Sequence, residues 1–184
     1  MELHLIRHTK VAVSDAFCFG QSDVELRPEW PDDLSSIQLE KDYSAVYSSP
    51  LKRCTQLADH FQLDYTVENR LIEMSFGDWE LQQWDAIPTE QIQPWYTDFI
   101  HVTPPNGENL LVMQRRIRDF LTEIEQKHSG DKVLIITHSG VIRVFLQLIM
   151  EFPMENMFRI QPQHGKKMIL IREHGLWKWT GMNW

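Results

Sequence analysis

The sequence predicts an α/β protein, a three-layer α/β/α sandwich around a mostly parallel central sheet. Three observations predict it. Strand-like runs alternate with helix-like segments along the chain. The run Val133-Leu134-Ile135-Ile136 is continuously apolar, as strands covered on both faces are. Residues 109–127 repeat their apolar positions every third or fourth residue, the period of one buried helix face.

Taken in order, residues 2–7 form a first strand that runs directly into Arg7-His8-Thr9 and a long polar connection. Ala45-Val46-Tyr47 is a second strand. Ser48-Ser49-Pro50 after it has the form of a helix start, with Ser49 as the cap and proline in the first turn, so a helix is expected over 51–61. Residues 65–67 make another short strand, and 71–84 are expected to be irregular, turning at Gly77. The segment 74–105 is expected to be an insertion packed over one end of the sheet. Within 109–127, Leu110, Met113, Ile117, Phe120, Leu121 and Ile124 mark the buried stripe of a long helix that Ser129-Gly130-Asp131 ends. A strand at 133–136, a helix at 139–150 and antiparallel strands near 167–172 and 176–181 complete the sheet. The cluster Pro104-Pro105-Asn106-Gly107 marks a loop and not a boundary, so residues 1–184 are expected to form one domain.

Composition narrows the function. A chain of 184 residues can bury about 70% of its unfolded surface, enough to fold without a metal or a disulfide. No apolar run approaches the roughly 20 residues that cross a bilayer, so no membrane partner is expected. A formal charge of -8 argues against nucleic acid, whose binders need an excess of Lys and Arg. Cys18 and Cys54 lack metal or disulfide spacing and are expected as free thiols of a cytoplasmic protein. His4, His60, His101, His128, His164 and His174 show no ligand spacing either, so surface or packing roles are expected and neither metal nor cofactor is.

In open α/β sheets ligands collect at the carboxyl ends of the strands, where helix N-termini offer unpaired N–H groups. Arg7 and His8 follow the first strand, Arg53 lies in the first turn of the helix after the second, and His138 follows the apolar strand. Two arginines and two histidines there would make a local dianion site in an acidic protein, and phosphate is its natural guest. A neutral histidine can attack phosphorus while the arginines neutralise the transferring group. The leaving alkoxide needs a proton, for which Glu73 is the candidate, with Glu80 and Glu108 as alternatives. Each residue also has an ordinary reading: His138 as a helix cap, Arg53 as a solvated helix residue, Glu73 as the partner of a surface cation. Gln21 and Asp23 either reach substrate or only shape a turn. Trp79, Trp84, Trp95, Tyr96 and Phe99 either stack on substrate or fill the core. The cysteines do not fit cysteine-phosphatase chemistry, because the sixth residues after them are Val24 and His60 where arginine would be required.

Leu5-Ile6-Arg7-His8-Thr9 resembles the RHG/RHT signature of the histidine phosphatase superfamily, to which the cofactor-dependent phosphoglycerate mutases also belong. Three more segments follow in the family's order: Ser48-Ser49-Pro50-Leu51-Lys52-Arg53 resembles SSPL-x-R, residues 71–80 resemble LxExxxGxWE, and Thr137-His138-Ser139-Gly140 occupies the place of the second histidine. The resemblance covers about residues 2–150. It implies a phosphoglycerate mutase-like fold, a phosphohistidine at His8, phosphate clamps at Arg7 and Arg53, a further phosphate contact at His138 and a proton donor at Glu73. Gln21, Ser14 and Ser139 are the expected substrate contacts, Ser14 standing where mutases usually have asparagine. Residues 17–23, 73–80 and 105–108 resemble the α-ribazole phosphatase subgroup. That implies a small phosphorylated metabolite as partner, α-ribazole 5'-phosphate first among candidates. Another metabolite phosphatase, a mutase and a noncatalytic phosphate-binding module are the alternatives.

Overall fold

The computed structural model describes residues 1–35 and 37–182. Six strands, β1 (Glu2–Arg7), β2 (Ala45–Ser48), β3 (Thr66–Val67), β4 (Lys132–Thr137), β5 (Lys167–Glu173) and β6 (Leu176–Met182), form one sheet in the order β3-β2-β4-β1-β5-β6. The pairs β1/β4, β2/β4 and β2/β3 are parallel, whereas β5 runs antiparallel to β1 and β6 antiparallel to β5. Four α-helices of the described residues accompany it, α1 (Lys52–His60), α2 (Thr89–Thr97), α3 (Leu110–Lys127) and α4 (Ser139–Met150), with short 3-10 helices in the connections.

The continuous apolar run of β4 follows from its central position. Leu134 and Ile136 pack with Ile6 and Val46 against Cys54, Leu57 and Ala58 of α1. Val133 and Ile135 face the other way, joining Leu3 and Leu5 against Met113, Ile117 and Phe120 of α3 and Val144 and Phe145 of α4. The strand period of two thus divides one apolar run between two cores and makes the three layers. Removing Leu134, which is fully buried, to alanine would cost about 2–5 kcal/mol. The α3 helix starts where its sequence says, because the Asn109 side chain accepts a hydrogen bond from Val112 N at 3.0 Å.

Two local expectations change. Ser49 is not the cap of α1: the N-cap position is Leu51, without a side-chain cap of its own, and Ser49 Oγ stands a long 3.4 Å from Leu51 N. Asp23 instead reaches over and accepts from Lys52 N at 2.9 Å, so the orphan donor is satisfied from a distant turn. The second change is α2, which periodicity did not announce. It contains Pro94 and buries Ile92 and Trp95 in an aromatic cluster with Cys18, Trp79 and Ile87. Backbone bonds from Cys18 N to Gln82 O (2.9 Å) and from Trp84 N to Ala16 O (2.9 Å) fasten this region to the loop after β1. Gly77 has a φ of +54°, and its backbone lies against Pro105 and Gly107 so closely that no side chain fits. No helix of the described residues is long and apolar enough to cross a membrane.

Candidate active site

The sheet register gathers the site. Arg7 pairs with Thr137 and Ser48 with Ile136, so the residues that follow β1, β4 and β2 emerge side by side. His8 N continues the ladder to Thr137 O at 3.0 Å, and Ser49 N to Ile136 O at 3.0 Å. Three adjacent strand ends therefore deliver His8, His138 and Ser49 to one place.

The two histidines hold opposite tautomers. His8 Nδ1 lies 2.7 Å from Thr9 O, and since a carbonyl only accepts, that nitrogen carries the proton and Nε2 keeps its lone pair. Arg53 Nε donates to His138 Nδ1 at 3.2 Å, which puts the His138 proton on Nε2, where it is donated to Ser49 Oγ at 2.7 Å. Burial, followed by the charge of Arg53, holds both rings well below the ordinary imidazole pKa. Both are neutral at physiological pH. Their ring centroids are 5.2 Å apart.

Arg53 is fully buried, and Lys52 beside it is exposed. Its guanidinium donates to Ser22 O at 2.7 Å and Gly20 O at 2.6 Å and lies over the Phe19 ring. Arg7 donates through Nη1 to Pro162 O at 2.8 Å, while its buried Nε has no partner. Burial lowers the Arg7 pKa to about 10, so it stays a cation at neutral pH. Burial pushes both thiols up to about 12, leaving Cys18 and Cys54 un-ionised.

Glu73 is held from both sides. Its Oε1 accepts from Met74 N at 2.9 Å and its Oε2 from Gly140 N at 3.0 Å, in the first turn of α4. The lack of a side chain at Gly140 leaves room for this carboxyl group, since a Cβ there would displace Glu73 Oε1 and press on Met113. The backbone of this loop is braced by Gln21 Nε2 (2.9 Å) and Arg116 Nη2 (3.1 Å), both donating to Glu73 O. The alternative acids are committed elsewhere. Glu80 accepts from Gln21 N, Ser22 N, Ser22 Oγ and Phe76 N, and Glu108 accepts from Ser75 N and Arg116.

A cavity of about 770 Å³ opens beside this cluster. Arg7, Asp15, Glu73, Ser139, Arg143 and His164 supply much of its polar wall, and Phe76, Trp84, Trp95, Tyr96, Phe99 and Phe158 much of its aromatic wall. His8, Arg53 and His138 are buried behind that wall. Ser139 Oγ is buried without a hydrogen-bond partner. The structure does not bring every expected contact to the cavity. Ser14 is exposed with its Oγ bonded to Ala16 N (3.2 Å), and Gln21 sits behind Glu73. Trp79 belongs to the aromatic core.

Two residues were not among the sequence candidates. His164 donates from Nδ1 to His8 O at 3.0 Å, and its ring centroid is 5.3 Å from that of His8. Burial, with the nearby charge of Arg7, lowers its pKa to about 4. Arg143 of α4 donates from Nε to Ile160 O at 2.9 Å. Neither shows a spacing signal; α4 carries Arg143 to the cavity one turn after Ser139, and chain topology brings His164, on the loop after α4, back over the end of β1.

Among known proteins, the chain is 27% identical over 179 residues to the adenosylcobalamin/alpha-ribazole phosphatase of Escherichia coli K12, covering 90% of this chain and 87% of that one. The crystal structure of the alpha-ribazole phosphatase from Shigella flexneri superposes with a TM-score of 0.89 at 22% identity, covering 100% of this chain and 96% of the other. A phosphoserine phosphatase mutant from Entamoeba histolytica, solved with phosphoserine, gives 0.85 at 18% identity, covering 99% and 96%. These two likenesses show a shared fold. The sequence model of the histidine phosphatase superfamily (branch 1) matches residues 3–184, and by that match the chain belongs to the histidine phosphatase superfamily.

Proposed function

We propose that the protein hydrolyses small phosphomonoesters in two steps through a phosphohistidine at His8. His8 Nε2 attacks phosphorus, and the P–O bond to the alcohol breaks as Glu73 gives the departing oxygen its proton. Water then attacks the phosphorus, Glu73 takes a proton from it, and phosphate leaves with His8 neutral again. Arg7 and Ser139, which line the cavity, hold the phosphoryl oxygens, and buried Arg53 adds a fixed charge behind them to meet the charge that grows in the transition state; His138, whose Nε2 proton goes to Ser49 here, joins them when that proton turns to a phosphoryl oxygen. The observation that carries this is the Nδ1 bond of His8 to Thr9 O, which commits Nε2 to the unprotonated, nucleophilic form.

The preferred substrate is α-ribazole 5'-phosphate. Its support is the aromatic wall, which suits a flat heterocycle, a cavity within the roughly 300–1,000 Å³ range of small-molecule sites, and the phosphatases of that name among the relatives. Two free, buried cysteines suit a reducing, cytoplasmic setting.

The test is phosphate release from α-ribazole 5'-phosphate, p-nitrophenyl phosphate and 3-phosphoglycerate with chelator present, alongside acid-labile labelling of the protein from radioactive substrate. Wild type should turn over and become labelled, and His8→Ala should do neither. Turnover in His8→Ala would refute the mechanism. Phosphate binding without release from any ester would leave a binding module instead, and transfer back to substrate in place of release would indicate a mutase.

A further inference from the structure

The phosphoryl group has its cations in Arg7 and Arg53, yet the cavity holds another. Arg143 projects from α4 five residues after His138 and lines the cavity. Two contacts fix the plane of its guanidinium: Nε donates to Ile160 O at 2.9 Å, and its central carbon lies 5.1 Å from the centroid of the Phe158 ring. Phe158 in turn packs edge-on against Phe99, with centroids 4.8 Å apart, and both rings belong to the cavity wall. Arg143 is thus mounted on the side of the pocket that would take the organic half of an ester.

No carboxylate of the described residues pairs with it. The acidic group whose field acts on it is Glu73, whose oxygens are already bonded to Met74 N and Gly140 N. Both Nη groups lack an acceptor among the described residues and are left for the cavity. Arg143 is only partly buried, so water serves its Nη donors until a ligand supplies acceptor oxygens, and the fork, already held at Ile160 O and Phe158, loses little freedom on binding them.

We propose that Arg143 is a specificity-determining residue that binds an acceptor oxygen on the alcohol half of the phosphomonoester, while the aromatic wall takes its apolar part. This rests on the phosphomonoesterase activity proposed above. A carboxylate and a sugar hydroxyl share the required chemistry, and the experiment separates them.

The measurement is kcat and KM of wild type, Arg143→Met and Arg143→Lys with four esters. Phenyl phosphate has no acceptor on its alcohol half, ribose 5-phosphate and α-ribazole 5'-phosphate offer hydroxyls, and 3-phosphoglycerate offers a carboxylate. Relative to phenyl phosphate, kcat/KM for the favoured acceptor-bearing ester should fall at least about tenfold in Arg143→Met, mainly through KM. A fall confined to 3-phosphoglycerate identifies a carboxylate, and one confined to the ribosyl esters identifies hydroxyls. Arg143→Lys should lose at least about threefold for the hydroxyl esters and less for the carboxylate, because it keeps the charge without the fork. If Arg143→Met does not fold, Arg143→Gln, which also removes the charge, takes its place in the same ratio. Ratios within twofold of wild type for every ester in the charge-removing variant would overturn the proposal. Failure of wild type to hydrolyse phenyl phosphate, or its hydrolysis by His8→Ala, would overturn the proposed phosphatase mechanism first and this inference with it.

Discussion

Replacing Gly140 with alanine tests the proposed acid without altering it. The added methyl would overlap Glu73 Oε1, with Glu73 Cδ at 3.1 Å and Met113 Cε at 3.2 Å closing the space around it. The carboxyl group must swing away, breaking its 3.0 Å bond from Gly140 N, worth about 0.5–1.5 kcal/mol. Overpacking adds about 1–3 kcal/mol of destabilisation. If Glu73 protonates the leaving oxygen, its displacement should cost about 10²-fold in kcat, or about 2.7 kcal/mol of barrier, for an alkyl ester that needs the proton. For p-nitrophenyl phosphate, whose leaving group is already a good anion, the first step should slow far less. The assay is therefore the ratio of single-turnover rates of dephosphorylation of ribose 5-phosphate and p-nitrophenyl phosphate, with Gly140→Ala and Glu73→Gln side by side. Both variants should shift that ratio in the same direction by a comparable factor. An equal slowing of the two esters, or no slowing in Glu73→Gln, would refute the assignment of the acid and the view that Gly140 exists to seat it.

Two other outcomes follow from the geometry. His8, His138 and His164 are buried neutral with folded pKa values below the unfolded one, so the unfolded chain takes up more protons below pH 6.5 and stability falls as pH decreases. Between pH 6.5 and 5.5 each costs up to about 1 kcal/mol, and calorimetry should show Tm falling by roughly 2–4 °C per kcal/mol, less steeply in His164→Asn; a Tm independent of pH over that interval would contradict the neutral assignments. Arg116 donates to Arg70 O, Glu73 O and Glu108, gripping the backbone on both sides of the acid, so Arg116→Met should lower stability by about 3 kcal/mol in urea unfolding and reduce kcat more than it changes phosphate binding.

Much of the architecture was legible because its signals are local. The β4 run and the α3 stripe each encode burial directly, and strand ends that lead into charged residues pointed to Arg7, His8, Arg53 and His138. What escaped has distant causes. Ser49 has the form of a cap, but its hydroxyl is taken by His138 Nε2, 89 residues away, and Asp23 serves the helix start instead. The α2 helix is short, contains proline and is stabilised by Ile92 and Trp95 in a cluster drawn from three parts of the chain, so no window of sequence displays its reason. His164 is a single residue without a repeat or motif around it, and Arg143 stands on the helix just past the Thr137–Gly140 segment with no pattern to mark it. Only the return of the chain along β5 brings the loop between α4 and β5 to the pocket.

That return has a temporal side. Arg7 Nη1 binds Pro162 O, His8 O accepts from His164 Nδ1, and Gly165 N donates to Arg7 O at 3.1 Å, so residues 7 and 8 are fastened by a loop about 155 positions later. On the ribosome the proposed nucleophile emerges about 155 residues ahead of its latch. Until residues 160–173 are released and β5 pairs with β1, the carbonyl of His8 lacks this partner and one edge of β1 lies open. The fold therefore postpones a finished pocket until this later loop has been made, and the strand carrying the reactive histidine depends on pairings of high sequence separation, the slow kind to form.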